Sequence, residues 1–395
     1  MKVLMLAPHP FYQPRGTPIA ADLVLRVLSE RGEQVDLVTF PEGSDVQYAN
    51  VNIHRTPALK IVRGIRPGFS IKKIICDVFL LFQALRLAKR NQYDLVHAGE
   101  EAVFIALLIK KLFGIPYVYD MDSSLVQQLM DKHPQIRIIK KLLQICEGTA
   151  VRNANAVLAV CEALKTEIQP YQPKKVDIIP DISLLNDTSG QAGAEQLREQ
   201  LAIDGALMMY VGNLESYQGI DLLLASFAKA LKKEPAAHLV AIGGNPTDVQ
   251  KYQDQAEDLG VSDRIHFIGP RPVNKLKYYL NQADIVVSPR TQGNNTPMKL
   301  YSYLDSGKAL LATNLTTHTQ VLSDRIALLA EPNVDAFADG IAHLIANPEL
   351  RISLGKAAQA YIAQSHTYEA FSGKLTSLYD WLQKGILTQK PAPTV

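Results

Sequence analysis

Cysteine is scarce in this sequence. Only Cys76, Cys146 and Cys161 occur among 395 residues, and an odd, sparse set is typical of a reducing compartment rather than of a disulfide framework. We expect all three to be small buried hydrophobic side chains. Long apolar runs are missing as well: the longest unbroken stretch covers residues 102–109, far short of the roughly 20 residues that a membrane span needs.

The beginning of the chain does not read as a secretory signal. The apolar run that follows Lys2 stops at Pro8, which is too early for the hydrophobic region of a signal peptide. We therefore expect a cytoplasmic protein, either soluble or peripheral on the inner face of a membrane.

Charge is nearly balanced, with a net charge of +2, but it is unevenly distributed. Residues 1–180 contain 23 Lys and Arg against 17 Asp and Glu, so this half carries +6 and the remainder −4. The asymmetry indicates a basic face on the first half. No zinc-ligand spacing, aromatic-basic motif or long basic run accompanies it. The sequence therefore predicts neither a nucleic-acid partner nor a metal site.

Apolar segments with strand character alternate with helical patterns along most of the chain. The first half contains KVLMLA, VDLVTF, DLVHA, PYVYD, AVLAV and VDIIP. After a polar stretch, residues 186–199, the pattern restarts with ALMMYVG, HLVAIGG, RIHFIG, ADIVVSP and ALLATN. Strands alternating with helices are typical of parallel α/β sheets. The sequence predicts two doubly wound α/β domains, residues 1–183 and 184–372, followed by a C-terminal helix and tail, residues 373–395.

Two loops carry a Thr-Pro pair after a predicted strand. The pairs are Thr17-Pro18 in PHPFYQPRGTPIA and Thr296-Pro297 in PRTQGNNTPMKL. Thr is a good N-cap, Pro is favoured at the first helical position, and helix N-termini attract phosphate groups. Each pair therefore predicts a helix start that holds an anion. The alternative is that each pair merely begins a structural helix.

Several longer segments carry a family resemblance. They are YVGNLESYQGIDLLLASFAKAL, HLVAIGG with LGVSDRIHFIGPRP, and ADIVVSPRTQGNNTPMKLYSYLDSGKALLAT in the second half, and IPYVYDMDSS and VLAVCEALKTEI in the first. In this order they resemble segments of the family-4 group of retaining glycosyltransferases, which have the GT-B fold. The resemblance runs from about Lys2 to Trp381.

The resemblance implies two Rossmann-like domains facing a cleft, with the acceptor held by the first and the donor by the second. It implies transfer of a sugar, with retention of configuration, from a nucleoside-diphosphate sugar to a lipid, lipid-linked or polysaccharide acceptor. A UDP-sugar is the expected co-substrate, with no separate cofactor. The nucleotide base is expected near Phe267 and Arg271, and the diphosphate near Gly212, Thr296 and Lys299.

Five positions depart from the pattern of that group. Asn213 and Gln218 stand where the group carries an Arg and a Lys that hold the diphosphate. Its paired glutamates fall on Asn294 and Ser302, and its acceptor-domain His falls on Asp122. These departures leave open a divergent active enzyme, a non-catalytic protein that binds sugar nucleotide or glycan, and a GT-B epimerase or phosphorylase.

The loop GNNTPMK favours the active enzyme, because it keeps an anion-binding pattern and adds Lys299. Arg290 and Arg15 are two further cations in these loops. We predict Asp122, Lys299 and Arg15 as catalytic. The predicted contacts to the donor are Gly16, Gly212, Asn213, Gln218, Phe267, Arg271, Arg290, Asn294, Asn295, Thr296 and Lys299.

Acidic residues follow two predicted strands of the first half. Asp120 and Asp122 lie at the end of PYVYD, and an Asp there could orient an acceptor hydroxyl or take its proton. Glu100 and Glu101 follow DLVHA, whose His97 is expected to be structural. A helix-capping or solvated role is the alternative for the carboxylates.

Residues 60–90 combine eight Lys and Arg with a single acid, Asp77. Apolar residues from Ile71 to Leu85 recur at helical spacing between them. Such a helix could rest on an anionic membrane surface, and the basic stretch of residues 133–141 could extend it. The alternative is an ordinary core helix with solvated ends.

Overall fold

The computed structural model describes residues 1–13, 16–59, 62, 64–65, 70–132, 138–185, 195–293 and 295–389. The chain divides into two compact units. The first unit comprises Met1–Pro180 together with Phe371–Val395, and the second comprises Asp181–Ala370.

The first unit is built on a seven-stranded sheet. In chain order β1 to β7 are Lys2–Ala7, Gln34–Thr39, Val51–Arg55, Leu95–Gly99, Tyr117–Met121, Ala156–Ala159 and Val176–Ile178. They are arranged β3-β2-β1-β4-β5-β6-β7, with every adjacent pair parallel. The central strands are buried almost throughout, because helices cover both faces of such a sheet.

Among the described residues, six α-helices connect these strands. In chain order α1 to α6 are Gly16–Glu30, Ile71–Arg90, Val103–Phe113, Leu125–Lys132, Lys140–Asn153 and Glu162–Ile168. The buried residues of α2, α3 and α5 join one core cluster on the same face of the sheet, and α3 packs against both α2 and α5. These three helices therefore form one layer.

The second unit is built on a six-stranded parallel sheet. In chain order β8 to β13 are Leu207–Val211, His238–Ile242, Ile265–Gly269, Ile285–Ser288, Ala309–Thr313 and Leu328–Ala330. They are arranged β10-β9-β8-β11-β12-β13. Alternate residues of its strands enter two separate core clusters, one on each face, as the period of two in a strand requires.

The helices of the second unit flank this sheet. In chain order α7 to α14 are Leu197–Gln200, Ile220–Ala230, Pro246–Asp258, Leu276–Gln282, Lys299–Asp305, Thr316–Thr319, Val334–Ala346 and Pro348–Ser365. The last helix, α15, is Tyr368–Gln389, and most of it belongs to the first unit. The predicted fold class, two doubly wound α/β domains, is confirmed.

The predicted capping roles of the two Thr-Pro pairs are wrong. Helix α1 already begins at Gly16, which places Thr17 inside it rather than at its N-cap. Helix α11 begins only at Lys299, with Met298 at the N-cap position. A tighter turn precedes α11, in which the N–H of Leu300 donates to the carbonyl of Pro297. The hydroxyl of Thr296 therefore makes no capping bond.

Two other expectations need correction. Cys76 and Cys161 are buried as predicted, but Cys146 is exposed on the outward side of α5. Helix α2 does not carry one apolar face. Its buried stripe is Cys76, Leu80, Ala84 and Ala88, whereas Ile71, Ile74, Val78 and Phe82 are exposed.

Candidate functional site

The strand order of the second sheet reverses between β8 and β11. The chain proceeds from β8 through β9 to β10 in one direction, and from β11 through β12 to β13 in the other. In open parallel sheets, ligands bind beyond the carboxyl ends of the strands at such a reversal. The loops after β8 and β11, residues 212–219 and 289–298, lie there. They contain most of the predicted donor contacts.

Direct contacts join these two loops. The backbone N–H of Thr291 donates to the carbonyl oxygen of Tyr217 at 3.0 Å. A Cβ atom at Gly219 would lie 2.0 Å from the carbonyl oxygen of Pro289. Gly219 also has a φ of +74°, which glycine adopts without strain. Only glycine at this position allows the loops to approach so closely.

Lys299, at the start of α11, lies between these loops. Its Nζ donates to Oε1 of Gln218 at 2.9 Å and sits 4.1 Å from the ring centre of Tyr210. Burial of the ammonium group and the nearby charge of Arg290 lower the pKa of Lys299 well below its ordinary value. Gly212 adjoins the amine, since a Cβ atom there would lie 3.5 Å from Nζ, in ordinary van der Waals contact.

Arg290 is the second cation of the site, and its side chain is buried. Its Nε donates to the carbonyl of Gln292 at 2.6 Å, and Nη2 donates to Oδ1 of Asn295 at 3.0 Å. The guanidinium lies 5.2 Å from the ring centre of Tyr217. Within the described residues, the hydrogen bonds of Arg290 thus go to neutral oxygens of its own loop.

No carboxylate of the described residues forms an ion pair with Lys299 or Arg290. Cations removed from water without a counter-charge destabilise a fold. The buried Oγ1 of Thr296 also has no hydrogen-bond partner within the described part of the chain. A bound anion would neutralise the cations and use this hydroxyl, which is the chemistry a phosphate group supplies.

The other described residues singled out in and beside these loops form hydrogen bonds with neighbouring protein groups. Asn213 is exposed, and its Oδ1 accepts from the N–H of Glu215 at 3.3 Å. Asn295 holds the guanidinium of Arg290. Asn294 lies outside the described residues. Ser302 is buried in α11, where its Oγ accepts from the N–H of Leu184 at 3.0 Å. It is thus a structural residue.

Of the residues predicted to contact the base, Phe267 lies within β10 and Arg271 lies just after it. Phe267 packs, partly buried, against the core of the second unit. Arg271 forms two hydrogen bonds of 2.7 Å with the carboxylate of Glu195, which also accepts from Tyr279. These contacts lower the pKa of Glu195 to about 2. Base binding by Phe267 and Arg271 stays a prediction.

The first sheet reverses its strand order between β1 and β4. Gly16 begins α1 after the loop that follows β1, and it is exposed; Arg15 lies outside the described residues. Glu100 and Glu101 follow β4. Burial and the charge of Glu101 raise the pKa of Glu100 to about 8, while Lys73 forms an ion pair with Glu101.

Asp120 belongs to a hydrogen-bonded chain that starts in α15. The hydroxyl of Tyr379 bonds to Nδ1 of His97 at 2.8 Å, and Nε2 of His97 bonds to Oδ2 of Asp120 at 3.1 Å. His97 and Tyr379 are wholly buried, whereas Asp120 is partly exposed. His97 thus has the structural role expected of it. Asp122, one residue beyond β5, is partly exposed at the same edge of the sheet.

Sequence reasoning missed the two aromatic rings of the site. Tyr210 lies in β8 and Tyr217 in the following loop, and each supports one cation through the face of its ring. No motif marks either tyrosine.

The described residues contain no group of three or more His, Cys, Asp and Glu that could hold a metal ion. None of the helices described is long and apolar enough to cross a membrane.

Two family models match the chain in succession. The model described as "Glycosyltransferase Family 4" matches residues 15–181, and "Glycosyl transferases group 1" matches residues 194–361. Among curated proteins, the chain is 24% identical over 414 residues to a D-inositol 3-phosphate glycosyltransferase of Corynebacterium glutamicum (strain R). The alignment covers 96% of each chain.

Solved structures share the fold at low sequence identity. Sucrose-phosphate synthase from Thermosynechococcus elongatus superposes with a TM-score of 0.79 at 18% identity, covering 98% of this chain and 100% of that one. Anabaena HepE in complex with UDP-glucose superposes with a TM-score of 0.75 at 16% identity, covering 96% and 100%. The predicted GT-B fold is confirmed.

Proposed function

The chain belongs to the GT-B glycosyltransferases of the family-4 type, and we propose that it transfers a sugar from a UDP-sugar with retention of configuration. A nucleotide sugar is the co-substrate of such enzymes. The position of two cations, Lys299 and Arg290, at the strand reversal of the second sheet supports this donor site most strongly. Their hydrogen-bond acceptors among the described residues are neutral oxygens.

The donor diphosphate binds, in this proposal, against the amine of Lys299 and the guanidinium of Arg290. The hydroxyl of Thr296 donates a further hydrogen bond. When the bond between the sugar and the diphosphate breaks, negative charge grows on the leaving phosphate oxygen. Cations that are already in place stabilise that charge more in the transition state than in the bound donor, which accelerates transfer.

Asp122 is proposed to act on the acceptor. Its carboxylate lies at the carboxyl end of the first sheet, where it could orient the attacking hydroxyl or take its proton. Arg15 and Gly16 are proposed as neighbours of this reaction, and Phe267 and Arg271 as contacts of the base. In this scheme the acceptor is a lipid, a lipid-linked intermediate or a polysaccharide, and the enzyme works at the cytoplasmic surface of a membrane.

Product analysis tests this proposal. The protein is incubated with radiolabelled UDP-, GDP- and ADP-sugars and with lipid and glycan acceptors, and the anomeric configuration of any product is read by NMR. Transfer from a UDP-sugar with retention supports the proposal. Binding of UDP without transfer or hydrolysis would identify a non-catalytic binding protein. A rearranged or phosphorylated sugar would identify an epimerase or phosphorylase.

A further inference from the structure

Apolar side chains are exposed on one layer of helices in the first unit. Fifteen large hydrophobic side chains are exposed among the described residues, and eleven belong to α2, α3, or α5 with the two residues before it. The eleven are Ile71, Ile74, Val78, Phe82, Phe104, Leu112, Phe113, Ile138, Ile139, Leu142 and Ile145. We call them the apolar surface of the α2–α3–α5 layer. Single exposed hydrophobic residues are ordinary, but a concentration of this kind marks an interaction site.

The three helices present this surface on one side of the unit. They share a core cluster with a single face of the sheet, and they pack side by side in the order α2, α3, α5. Their exposed residues therefore point away from the sheet together. Ile138 is 93% exposed, Ile71 77%, Ile145 66% and Phe82 65%, so these side chains have little protein around them.

The exposed apolar residues of α2 do not lie at the edge of its buried stripe. Its buried stripe includes Leu80, and its exposed stripe includes Val78. Two residues along a helix turn about 200° around its axis, so the two stripes face in nearly opposite directions. A helix that only covers a sheet carries polar residues opposite its buried stripe.

The charge on this layer has one sign. Within the described parts of α2, α3 and residues 138–153, every exposed charged residue is a cation: Lys72, Arg86, Lys89, Arg90, Lys111, Lys140, Lys141 and Arg152. The carboxylates of these segments are Asp77 and Glu147, and neither residue is exposed. Glu147 is turned inward, where it accepts hydrogen bonds from Ser124 and Leu125.

We propose that the apolar surface of the α2–α3–α5 layer docks on an anionic lipid bilayer. Isoleucine, leucine and phenylalanine side chains enter the boundary between headgroups and acyl chains, while the flanking Lys and Arg contact lipid phosphates. A second copy of the chain is a poorer occupant, because it would bring two sets of like charges together. The inference rests on the proposed function only in that the bilayer presents the acceptor.

Vesicle flotation tests the docking. The full chain is mixed with vesicles of phosphatidylcholine alone, or of phosphatidylcholine and phosphatidylglycerol in equal parts, at low and high salt. We expect binding to the anionic vesicles that weakens with salt, because ions screen surface charge. Phe82→Ser with Ile145→Ser should weaken binding at least about tenfold, because two apolar side chains that enter the bilayer are lost. Lys140→Glu with Lys141→Glu should weaken it at least about tenfold.

Matched controls come from the second unit. Leu259→Ser with Ile352→Ser removes two exposed apolar side chains there, and Lys232→Glu with Lys356→Glu reverses two exposed cations. Both control pairs should bind vesicles as the wild type does. All variants change exposed side chains, so each should keep the wild-type Tm and the wild-type affinity for UDP measured by calorimetry.

The outcomes separate docking from catalysis. Absence of wild-type binding to anionic vesicles, or equal losses in test and control pairs, overturns the docking proposal while UDP binding leaves the proposed function standing. Light scattering that shows a dimer broken by Phe82→Ser with Ile145→Ser would replace the bilayer by a second copy of the chain. A wild-type protein that does not bind UDP would instead contradict the proposed function, whether or not it binds vesicles.

Discussion

The amine of Lys299 donates a hydrogen bond of 2.9 Å to the side-chain oxygen of Gln218. In the sequence pattern of the family-4 glycosyltransferases, a lysine stands at the position of Gln218. In this chain the cation is Lys299, at the start of the helix that follows the other loop of the same strand reversal, and it reaches that glutamine. We interpret this as a relocated charge: the site keeps its positive group, but a different residue supplies it.

Binding of UDP should be accompanied by uptake of a proton. The pKa of Lys299 is well below its ordinary value in the free protein, and a diphosphate beside the amine raises it. At a pH above the free pKa, the amine therefore gains a proton as UDP binds. Calorimetry in buffers of different ionisation enthalpy should show a dependence that Lys299→Met removes. An equal dependence in wild type and variant would show that Lys299 is not the group that titrates.

Gly293→Ala should weaken UDP binding about tenfold, roughly 1.4 kcal/mol. A Cβ atom at Gly293 would lie 2.1 Å from Nη2 of Arg290, so the guanidinium or the loop must move. Gly260→Ala is the control, because Gly260 also has a positive φ but no atom within 4 Å of an added Cβ. Calorimetry should find wild-type affinity in the control. Equal affinities for UDP in both variants would show that Arg290 does not contact UDP.

Glu100→Gln should flatten the loss of stability that occurs as pH rises from about 5 to about 8. The folded-state pKa of Glu100 is raised to about 8 from an ordinary value of 4.5, so the folded state binds the proton more tightly than the unfolded state. Stability from this group is full below the unfolded pKa and is lost as pH rises through the folded pKa. Thermal melts between about pH 5 and pH 9 should show a smaller decline in the variant. Parallel declines would assign the pH dependence to other groups, such as Asp77, whose pKa is raised to about 7.

Asp122→Asn should lower turnover about a hundredfold or more, as expected for loss of a general base. Affinity for UDP should stay within a few-fold of wild type, because the cations proposed to hold the diphosphate, Lys299 and Arg290, lie in the second unit. Asp324→Asn, on an exposed turn of the second unit, is the control. Turnover is followed with the acceptor found by product analysis. Unchanged turnover would return Asp122 to a structural role, and lost UDP binding would place it at the donor.

The fold could be predicted from sequence because its signals are local. Each central strand is a short apolar run, and each is followed by a helical pattern, so period and order alone indicate parallel sheets. The position of Lys299 directly after the loop that follows β11 could be read from the same pattern, while its contact with phosphate stays a prediction. Thr296-Pro297 misled because a turn before α11 delays that helix to Lys299. Thr17-Pro18 misled because α1 already begins at Gly16.

The partners within the site could not be predicted from sequence. Lys299 and Gln218 are 81 residues apart, and His97 and Tyr379 are 282 residues apart. Such pairs meet only through strand order and packing. The division of the apolar residues of α2 into a buried stripe and an exposed stripe could not be predicted from sequence either. Their helical spacing is the same whether a stripe faces the core or the solvent.

The exchange of the charge between positions 218 and 299 is the most direct test of the relocated cation. Lys299→Gln should weaken UDP binding about tenfold to a hundredfold, the loss of one charge-assisted contact of about 1.5–3 kcal/mol. Gln218→Lys combined with Lys299→Gln restores a lysine–glutamine pair with its members exchanged. Calorimetry should then find an affinity within about fivefold of wild type. A double variant that binds UDP as weakly as Lys299→Gln, or a single variant that binds as tightly as wild type, would contradict the account.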